Sequence, residues 1–326
     1  MEAELAGMGR AVTGPPDQRH VRPGSTAMWI PTDRGAVWFK ASGPGAAHEG
    51  PLLEVFRRRG VAYVLLPLAI HPTQPWLLLE DGGTTMRGTR PDGTGDHDLA
   101  AWERILREYA ALQRSLEGLD AVADMLAAGA PDGRPDRLAD ELERLLDDDR
   151  PWSRVLPDER DVADRARARL RATIDLIRAR ATDLAASGIA ATVQHDDLHD
   201  GNILVGSAGD RFFDWGDAIV ANPFGTLTTT FNSIAHKTGM SLEDPAFVRL
   251  RDVYLEAWSG VLAAADLLDV TALARDLACI GKSLAWERAF IDLEPDEMGD
   301  RGDSVAGWLM ELAERLDEPR WAMRRV

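Results

Sequence analysis

Short apolar segments alternate with turn sequences through the first quarter of the chain, a pattern typical of a small antiparallel sheet. Thr26–Ile30 and Ala36–Lys40 are separated by Pro31–Gly35, which has the composition of a turn, so they are predicted to pair as a hairpin. Two further strands are predicted at Val61–Leu68 and Trp76–Leu79. These segments together indicate a small β-rich lobe.

Helical periodicity dominates the rest of the chain. A first helix is predicted at His48–Arg59, inside the β-rich lobe, from the spacing of its apolar residues. Later helices are predicted at Asp98–Leu116, Arg137–Asp147, Glu159–Ser187, Pro245–Ala264 and Thr271–Leu293. One strand-rich island, Ala191–Ile219, interrupts them. Strands followed by helices predict an α+β protein with a small β-rich lobe and a large, mostly helical lobe.

This change of character divides the chain into three predicted parts. Residues 1–24 are rich in glycine, proline and polar groups and are predicted to be a loose lead-in. Residues 25–82 are the predicted N-terminal lobe, and residues 83–326 are the predicted C-terminal lobe. The seam between the lobes is expected near residues 81–88, where the strand pattern ends.

The composition is that of a globular protein of 326 residues, with 45% apolar and 28% charged residues. These values exclude collagen-like and wholly disordered chains, and the length fits one large two-lobed unit. The single cysteine, Cys279, cannot form a disulfide within the chain and is expected to be a buried thiol.

Negative charge is concentrated in the second lobe. The chain has 54 acidic and 37 basic residues, and residues 1–82 contain eight of each kind. Residues 83–326 therefore carry the whole net charge of −17. Nucleic acid is not an expected partner of such a chain, whereas a cleft in the second lobe is expected to attract cations.

No membrane association is expected either. The longest apolar run, Val61–Ile70, contains Pro67 and is far too short for a membrane span. Met1–Val12 lacks the apolar segment of a secretory signal. The expected location is the cytoplasm.

The strand-rich island contains the candidate chemistry. Ile203–Val205 and Arg211–Phe213 are predicted to form a hairpin around a glycine-containing turn. Asn202 and Asp214 lie at the open end of this hairpin, where neighbouring strands are about 4.8 Å apart. An amide oxygen and a carboxylate at that separation are suitable ligands for Mg²⁺. Asp197, on the loop leading in, is placed to face an acceptor hydroxyl, as phosphoryl transfer requires.

The spacing His195-x-Asp197-x₄-Asn202, followed by Asp214, resembles the catalytic loop and metal-binding aspartate of kinases. More closely, HDDLHDGNILV from His195 and FDWGDA from Phe213 resemble the aminoglycoside phosphotransferase-like small-molecule kinases. The resemblance implies a bilobal protein-kinase-like fold.

Two residues depart from the commoner form of this family's catalytic loop. That form has glycine before the catalytic aspartate and proline before Gly-Asn, whereas this chain has Asp196 and Asp200.

The glycine-rich signature G-x-G-x-x-G is also missing before Lys40, and Arg22–Thr26 is the only candidate for a phosphate-covering loop. The missing glycine-rich signature argues against an ordinary protein kinase.

The resemblance extends to the first lobe. Lys40 ends an apolar strand where the family places its phosphate-binding lysine, and only three lysines occur in the chain: Lys40, Lys237 and Lys282. Glu49 is expected to hold the Lys40 ammonium, in preference to Glu54. Leu79 and Asp81 lie in the segment that resembles the hinge, where backbone groups meet adenine.

The implied enzyme is a kinase that uses ATP or GTP with Mg²⁺ to phosphorylate a hydroxyl of a small molecule. Asp197 would act as the base or orient the hydroxyl, and Asn202 and Asp214 would hold Mg²⁺. His195 and Asp217 are expected to support the loops. The acidic second lobe favours a cationic acceptor such as an aminoglycoside or another amino sugar, with an uncharged sugar left open.

Two other functions remain as alternatives. The first is a metal-dependent hydrolase, because the cluster His195–Asp200 packs five possible ligands into six residues. The second is a non-catalytic nucleotide-binding protein built on the kinase fold. The oligomeric state, the choice between ATP and GTP, and a resistance, biosynthetic or metabolic role are left open by the sequence.

Overall fold

The first lobe is built on an antiparallel sheet of five strands. The computed structural model describes residues 1–22, 24–90, 98–206, 209–294 and 297–317. The strands of the sheet are β1 Asp17–Arg22, β2 Ser25–Ile30, β3 Val37–Ser42, β4 Ala69–Ile70 and β5 Trp76–Glu80. Their spatial order is β1-β2-β3-β5-β4, so β3 is the central strand.

Lys40 lies within this central strand. It is opposite Ala27 of β2 and Leu77 of β5, so its backbone is fixed on both sides. The helix α2, Glu49–Arg59, follows β3 and ends at Gly60, whose φ of 65° suits glycine as a left-handed cap. The predicted hairpin and the predicted helix of this lobe are therefore confirmed.

The segment predicted to be a loose lead-in instead contains regular secondary structure that packs on the sheet. It contains the helix α1, Glu2–Gly7, and the edge strand β1. Leu5 of α1 is buried with Ile30 and Val37 in a small core. The residues of β1 are all exposed, so the strand carries no apolar alternation from which it could be predicted. The candidate phosphate-covering loop is the turn from β1 to β2, where Pro23 lies outside the described residues.

The strand predicted at Val61–Leu68 is wrong in its position. Pro67 has no N–H for a ladder, and β4 begins only at Ala69. Val64 instead makes an isolated bridge to Phe212, in the second lobe. This segment therefore links the lobes.

The second lobe is mostly helical, as predicted. Its helices are α3 Leu99–Ser115, α4 Leu119–Ala127, α5 Pro135–Asp147, α6 Asp149–Ser153, α7 Arg160–Ala172, α8 Ile174–Ala185, α9 Thr226–Thr238, α10 Pro245–Leu255, α11 Ala264–Ala289 and α12 Ser304–Arg315. Its core includes the fully buried aromatic side chains Trp102, Tyr109, Phe224, Tyr254 and Trp258.

Some helix boundaries differ from the prediction. The single helix predicted at Glu159–Ser187 is two helices that meet at Thr173. The helix α11 begins before the predicted Thr271 and ends before Leu293. The helix α9 was not predicted, since threonine favours strands over helices.

Short strands of the island position the loops of the second lobe. They are β6 Asp132–Gly133, β7 Thr192–Gln194, β8 Ile203–Leu204, β9 Arg211–Phe212 and β10 Ile219–Ala221. The strands β8 and β9 pair antiparallel, with Ile203 opposite Phe212, so the predicted hairpin is confirmed. Ser207 and Ala208 of its turn lie outside the described residues.

The two lobes meet at this hairpin. Met86 donates its backbone N–H to the Ile203 carbonyl at 2.8 Å, and Phe212 donates to the Tyr63 carbonyl at 2.7 Å. At Gly82 a Cβ would collide with the Leu204 side chain, so the connection passes the hairpin closely only because it has glycine there. Among the helices of the described ranges, none is long and apolar enough to cross a membrane.

His48 ties the start of α2 to the second lobe. Its ring Nε2 lies 3.0 Å from the carbonyl oxygen of Ala218, and the residue is buried. Burial, with a smaller contribution from Arg288, lowers the pKa of His48 to about 4. The neutral ring therefore donates to Ala218 at neutral pH.

We expect this histidine to make the fold sensitive to mild acid. Because its pKa is lower in the folded chain than in the unfolded chain, His48 contributes full stability above about pH 6.5 and loses it as the pH falls towards 4. Its contribution to the free energy of unfolding should fall by about 2 kcal/mol between pH 7 and pH 5. Denaturant unfolding at both pH values measures this change. His48→Gln keeps a donor that does not titrate, and an equal loss in both proteins would contradict the prediction.

Candidate functional site

A cleft of about 1170 Å³ lies between the lobes. Its walls include β2, β3, β5 and the connection after β5 on one side, and the loops around β8, β9 and α11 on the other. Of the predicted site residues, it is lined by Lys40, Glu49, Leu79, Asp81, Asp197, Asn202, Asp214 and Asp217. His195 does not line the cleft.

Lys40 joins the lobes through two carboxylates. Its Nζ lies 2.7 Å and 2.6 Å from the two carboxylate oxygens of Glu49, and 2.5 Å from Oδ1 of Asp214. Burial by itself lowers the pKa of Lys40, but Asp214 and Glu49 outweigh it and raise the pKa above its ordinary value. The lysine is therefore charged in the folded protein. Glu54, the less favoured partner in the sequence, instead pairs with Arg57.

Glu49 also orients the loop that contains Asp214. Its Oε1 accepts the backbone N–H of Trp215 at 3.0 Å, and its Oε2 accepts the Ser42 hydroxyl at 3.2 Å. Asp214 has a φ of 65°, a left-handed conformation that an aspartate adopts at some cost. The contacts of Glu49 and Lys40 hold that conformation in place.

Asn202 and Asp214 are brought side by side, as the hairpin predicted. Phe213 donates its backbone N–H to the Asn202 carbonyl at 3.1 Å, which sets Asp214 next to this pair. Oδ1 of Asp214 accepts from Lys40, and nearly half of the Asp214 side chain faces solvent in the cleft. Partial burial of the carboxylate raises the pKa of Asp214, but the adjacent Lys40 ammonium lowers it by more, so the carboxylate is ionised.

Asp197 faces the same part of the cleft. The Asn202 side chain donates Nδ2–H to the Asp197 carbonyl at 3.0 Å and to its Oδ2 at 3.2 Å. His199 Nε2 lies 3.4 Å from the same Oδ2. Burial raises the pKa of Asp197, but the His199 ring and the Lys282 ammonium together bring it well below its usual range. Asp197 is therefore an anion at neutral pH.

His195 and Asp217 occupy different positions relative to the cleft. His195 is fully buried, its Nε2 lies 2.8 Å from the Phe213 carbonyl, and its ring packs on Trp215. Burial lowers its pKa, so the ring is neutral and donates to the loop before Asp214. Asp217 follows in a short 3₁₀ turn and is partly exposed to the cleft.

Leu79 and Asp81 lie at the other end of the cleft. Leu79 is opposite Trp38 in the ladder between β5 and β3. The carboxylate of Asp81 accepts from Trp29 Nε1 at 3.3 Å and from the backbone N–H of Gly83 at 3.2 Å, so it fixes the turn of the connection.

Comparison with protein families identifies this arrangement. The model of the phosphotransferase enzyme family (APH) matches residues 40–268, which is well over half of the chain. The matched range begins at Lys40 and includes both loops described above. The chain belongs to this family. The predicted resemblance and the predicted class of small-molecule kinase are thereby confirmed.

Several solved structures share the fold of this phosphotransferase. A choline kinase from Streptococcus pneumoniae has a TM-score of 0.61 at 14% identity, with 97% of this chain and 96% of that chain covered. A choline/ethanolamine kinase family protein from Mesorhizobium loti has a TM-score of 0.59 at 16% identity, with 98% and 95% covered. A macrolide 2′-phosphotransferase from Brachybacterium faecium has a TM-score of 0.56 at 16% identity, with 92% and 96% covered.

These likenesses confirm the predicted bilobal, protein-kinase-like fold and are too distant to show more than the fold. The comparison with curated proteins finds no match.

The phosphotransferase has two buried aspartates in its catalytic loop, where the commoner family form has glycine and proline. Asp196 is buried at a φ of 62°, the conformation that glycine adopts freely. Asp200 is fully buried and accepts from Arg87 at 2.8 Å and 3.0 Å and from Lys237 at 3.0 Å. Asp200 thus has two basic partners that the motif alone did not reveal.

Lys282 of α11 is the main residue that sequence reasoning missed. Its side chain is 5% exposed, and its Nζ donates to the Asp196 carbonyl at 2.7 Å. It lies 3.9 Å from Oδ1 of Asp197 and 3.9 Å from Oδ2 of Asp217. The one available signal was the scarcity of lysine in the chain.

The geometry does not favour the hydrolase alternative. Three side chains of the cluster His195–Asp200 are engaged by other partners: His195 bonds to the Phe213 carbonyl, Asp196 to Gln194 and Asp200 to Arg87. Within the described part of the chain, no group of three or more His, Cys, Asp or Glu side chains is arranged to hold a metal ion.

One wall of the cleft is formed by the end of α11 and the residues after it. Trp286 and Phe290 pack together there, and the Arg301 guanidinium lies over the Trp286 ring. Arg288 also lines this wall. Glu287 of the same helix forms a two-pronged pair with Arg144 outside the cleft.

Proposed function

We propose that this protein is a Mg-ATP-dependent kinase that transfers the γ-phosphate to a hydroxyl of a small molecule. The observation that carries the proposal is the convergence of Lys40, Asn202, Asp214 and Asp197 on one cleft between the lobes. Phosphoryl transfer needs little more than phosphate contacts, a metal site and a residue that orients the attacking hydroxyl. The choice between ATP and GTP is tested by measuring the binding of both nucleotides.

The nucleotide would occupy the half of the cleft that is lined by β2, β3 and β5. Lys40 is charged and held by Glu49, so it can contact the α- and β-phosphates without losing its position. Leu79 and the connection at Asp81 would meet the adenine base. This assignment makes the sheet lobe, which we propose begins at β1 and ends near residue 82, the nucleotide-binding lobe, and residues 83–326 the catalytic and acceptor-binding lobe.

The residues at the open end of the hairpin fit Mg²⁺. Both donor groups are oxygens, which this hard cation prefers. Nδ2 of Asn202 is used by Asp197, which leaves the amide oxygen for a metal, and Asp214 gives only Oδ1 to Lys40. When bound there, Mg²⁺ would neutralise charge on the phosphates. Lys40 and Glu49 would keep the Asp214 carboxylate oriented for it.

Asp197 would receive or orient the acceptor hydroxyl. It is anionic and partly exposed to the cleft, and Asn202 and His199 fix its carboxylate from one side. His195 and Asp217 would support this geometry from below the loops, His195 through the Phe213 carbonyl and Asp217 beside Lys282.

For the acceptor we propose a compound with a cationic group, as the charge of the second lobe favours. The partly exposed carboxylate of Asp217 and the side chain of Glu297 line the acceptor side. Arg288 and Arg301 line the same side. Their positive charges make this side of the cleft less acidic than the net charge of the lobe alone suggests. A screen with kanamycin, glucosamine, choline and the neutral sugar glucose tests this part directly. Equal affinity for cationic and neutral compounds would remove the charge argument.

Asp214→Asn should weaken Mg-ATP binding at least about tenfold, because one anionic oxygen for the metal is lost. Isothermal calorimetry with Mg-ATP, and with ATP in EDTA, measures the effect. Wild-type binding should be saturable and should require Mg²⁺, and Asp132→Asn, outside the cleft, is the matched control. Absence of ATP and GTP binding at millimolar concentration would overturn the proposal. Binding without turnover of any acceptor would instead favour a non-catalytic protein.

A further inference from the structure

The chain has only three lysines, and the side chain of each reaches a loop of the candidate site. Lys40 pairs with Asp214, as described above. Lys237 pairs with Asp200 of the catalytic loop. Lys282 reaches the same loop from α11 and has no role in the proposed function so far.

Lys282 is surrounded by oxygen atoms of the catalytic region. Its Nζ donates to the carbonyl oxygen of Asp196 at 2.7 Å. Three carboxylates lie slightly farther away, at 4.0 Å for Asp196, 3.9 Å for Asp197 and 3.9 Å for Asp217. The buried ammonium therefore lies between three acids, one of them buried and two partly exposed to the cleft, and offsets their mutual repulsion.

The nearby ammonium matters more for Asp196 than for the other two acids, because Asp196 is the most buried of the three carboxylates. It is buried, and Gln194 donates to its Oδ1 at 2.7 Å, while Oδ2 has no hydrogen-bond partner among the residues that the structure describes. A buried carboxylate without a cation is strongly unfavourable. Asp196 also immediately precedes Asp197. If the buried Asp196 carboxylate moved, the backbone would move the candidate base with it.

We propose that Lys282 is a positioning residue for Asp197 and that it forms a functional pair with Asp196. Lys282 fixes the backbone of the catalytic loop through the Asp196 carbonyl and compensates the extra carboxylate that replaces glycine there. The role of Asp197 rests on the proposed function, whereas the pairing with Asp196 does not.

Lys282 acts from behind the wall of the cleft rather than on a ligand. It does not line the cleft, but Ala285, Trp286 and Ala289 of the same helix do. A single rigid helix thus carries part of the acceptor wall and the cation that fixes the catalytic loop. Loss of Lys282 should therefore affect turnover and leave nucleotide binding unchanged.

The pairing can be tested by unfolding, without any acceptor. Lys282→Met should lower the melting temperature by roughly 5–10 °C, because it leaves buried carboxylates uncompensated. Asp196→Gly removes one of these carboxylates and suits the left-handed φ. In the Asp196→Gly background, Lys282→Met should therefore cost at most about half of that shift. Additive shifts in the double variant would overturn the pairing.

The positioning role is tested by turnover with an acceptor found in the screen above. Lys282→Met should lower kcat by about 10- to 100-fold, with the Kd of Mg-ATP and the KM of the acceptor within about threefold of wild type. Adding Asp196→Gly should recover about tenfold of the lost kcat, because the uncompensated carboxylate beside Asp197 is removed. Ser283→Ala, which disturbs α11 at the next residue, should lower stability and leave kcat unchanged.

The outcomes separate this inference from the proposed function. A kcat for Lys282→Met within threefold of wild type, or a double variant no better than Lys282→Met, would overturn the positioning role. Failure of the wild type to bind nucleotide would overturn the proposed function, and the unfolding cycle would still decide whether Lys282 and Asp196 are a pair.

Discussion

Asp197→Asn should lower kcat by about 10³-fold while the Kd of Mg-ATP stays within about threefold of wild type. The asparagine keeps the shape of the side chain and a contact with Asn202, but it cannot accept the proton of the acceptor hydroxyl. Asp197 is held as an anion by the His199 ring and by Lys282, against the effect of burial. Its loss therefore removes a charge that the surrounding residues are arranged to maintain.

The measurement is steady-state turnover with the best acceptor of the screen, together with calorimetry of Mg-ATP. Asp132→Asn makes the same chemical change at a carboxylate that pairs with Arg134 and lies outside the cleft, so it should leave kcat unchanged. A kcat for Asp197→Asn within tenfold of wild type would assign the orienting role to another residue. A parallel loss of nucleotide binding would indicate a collapsed loop instead.

Local patterns were sufficient to predict the parts of the site that lie on one hairpin. The alternation around the turn after Val205 placed Asn202 and Asp214 together, since strand pairing fixes which residues are neighbours. The apolar strand that ends near Lys40, followed by a helix that begins at Glu49, predicted a contact that the structure shows at 2.7 Å.

Contacts between distant elements could not be predicted in the same way. Lys282 reaches the loop of Asp196 from a helix more than eighty residues later, and no local pattern encodes that distance. The partners of Asp200 come from the connection between the lobes and from α9. Strand β1 was missed for a different reason: all of its side chains are exposed, so no apolar periodicity marks it.

Glu49 combines a position that local periodicity predicts with contacts to distant elements. Its helix is defined by local periodicity, yet its carboxylate bonds to Lys40 on the sheet and to the backbone of Trp215 in the second lobe. The contact with Trp215 fixes the backbone beside Asp214. Lys40 is therefore both a candidate phosphate ligand and the cation that makes a buried Glu49 tolerable, and the two roles predict different consequences of its loss.

Lys40→Met should lower both the affinity for Mg-ATP and the stability of the fold. Loss of a charged contact to the phosphates should raise the Kd by about 10- to 100-fold, because a hydrogen bond to a charged group contributes about 1.5–3 kcal/mol and each 1.4 kcal/mol is about tenfold in Kd. Removal of the ammonium also leaves Glu49 buried without a cation, which should reduce the free energy of unfolding by about 3–5 kcal/mol. Calorimetry and denaturant unfolding measure the two effects separately.

The double variant Lys40→Met/Glu49→Gln distinguishes the two roles. Neutralising Glu49 removes the uncompensated charge, so most of the lost stability should return. The affinity for Mg-ATP should remain low, because the glutamine supplies no cation for the phosphates. Recovery of both properties would mean that Lys40 acts only by balancing Glu49. If stability does not recover, the pairing of Lys40 with Asp214 across the lobes carries more of the fold than its pairing with Glu49.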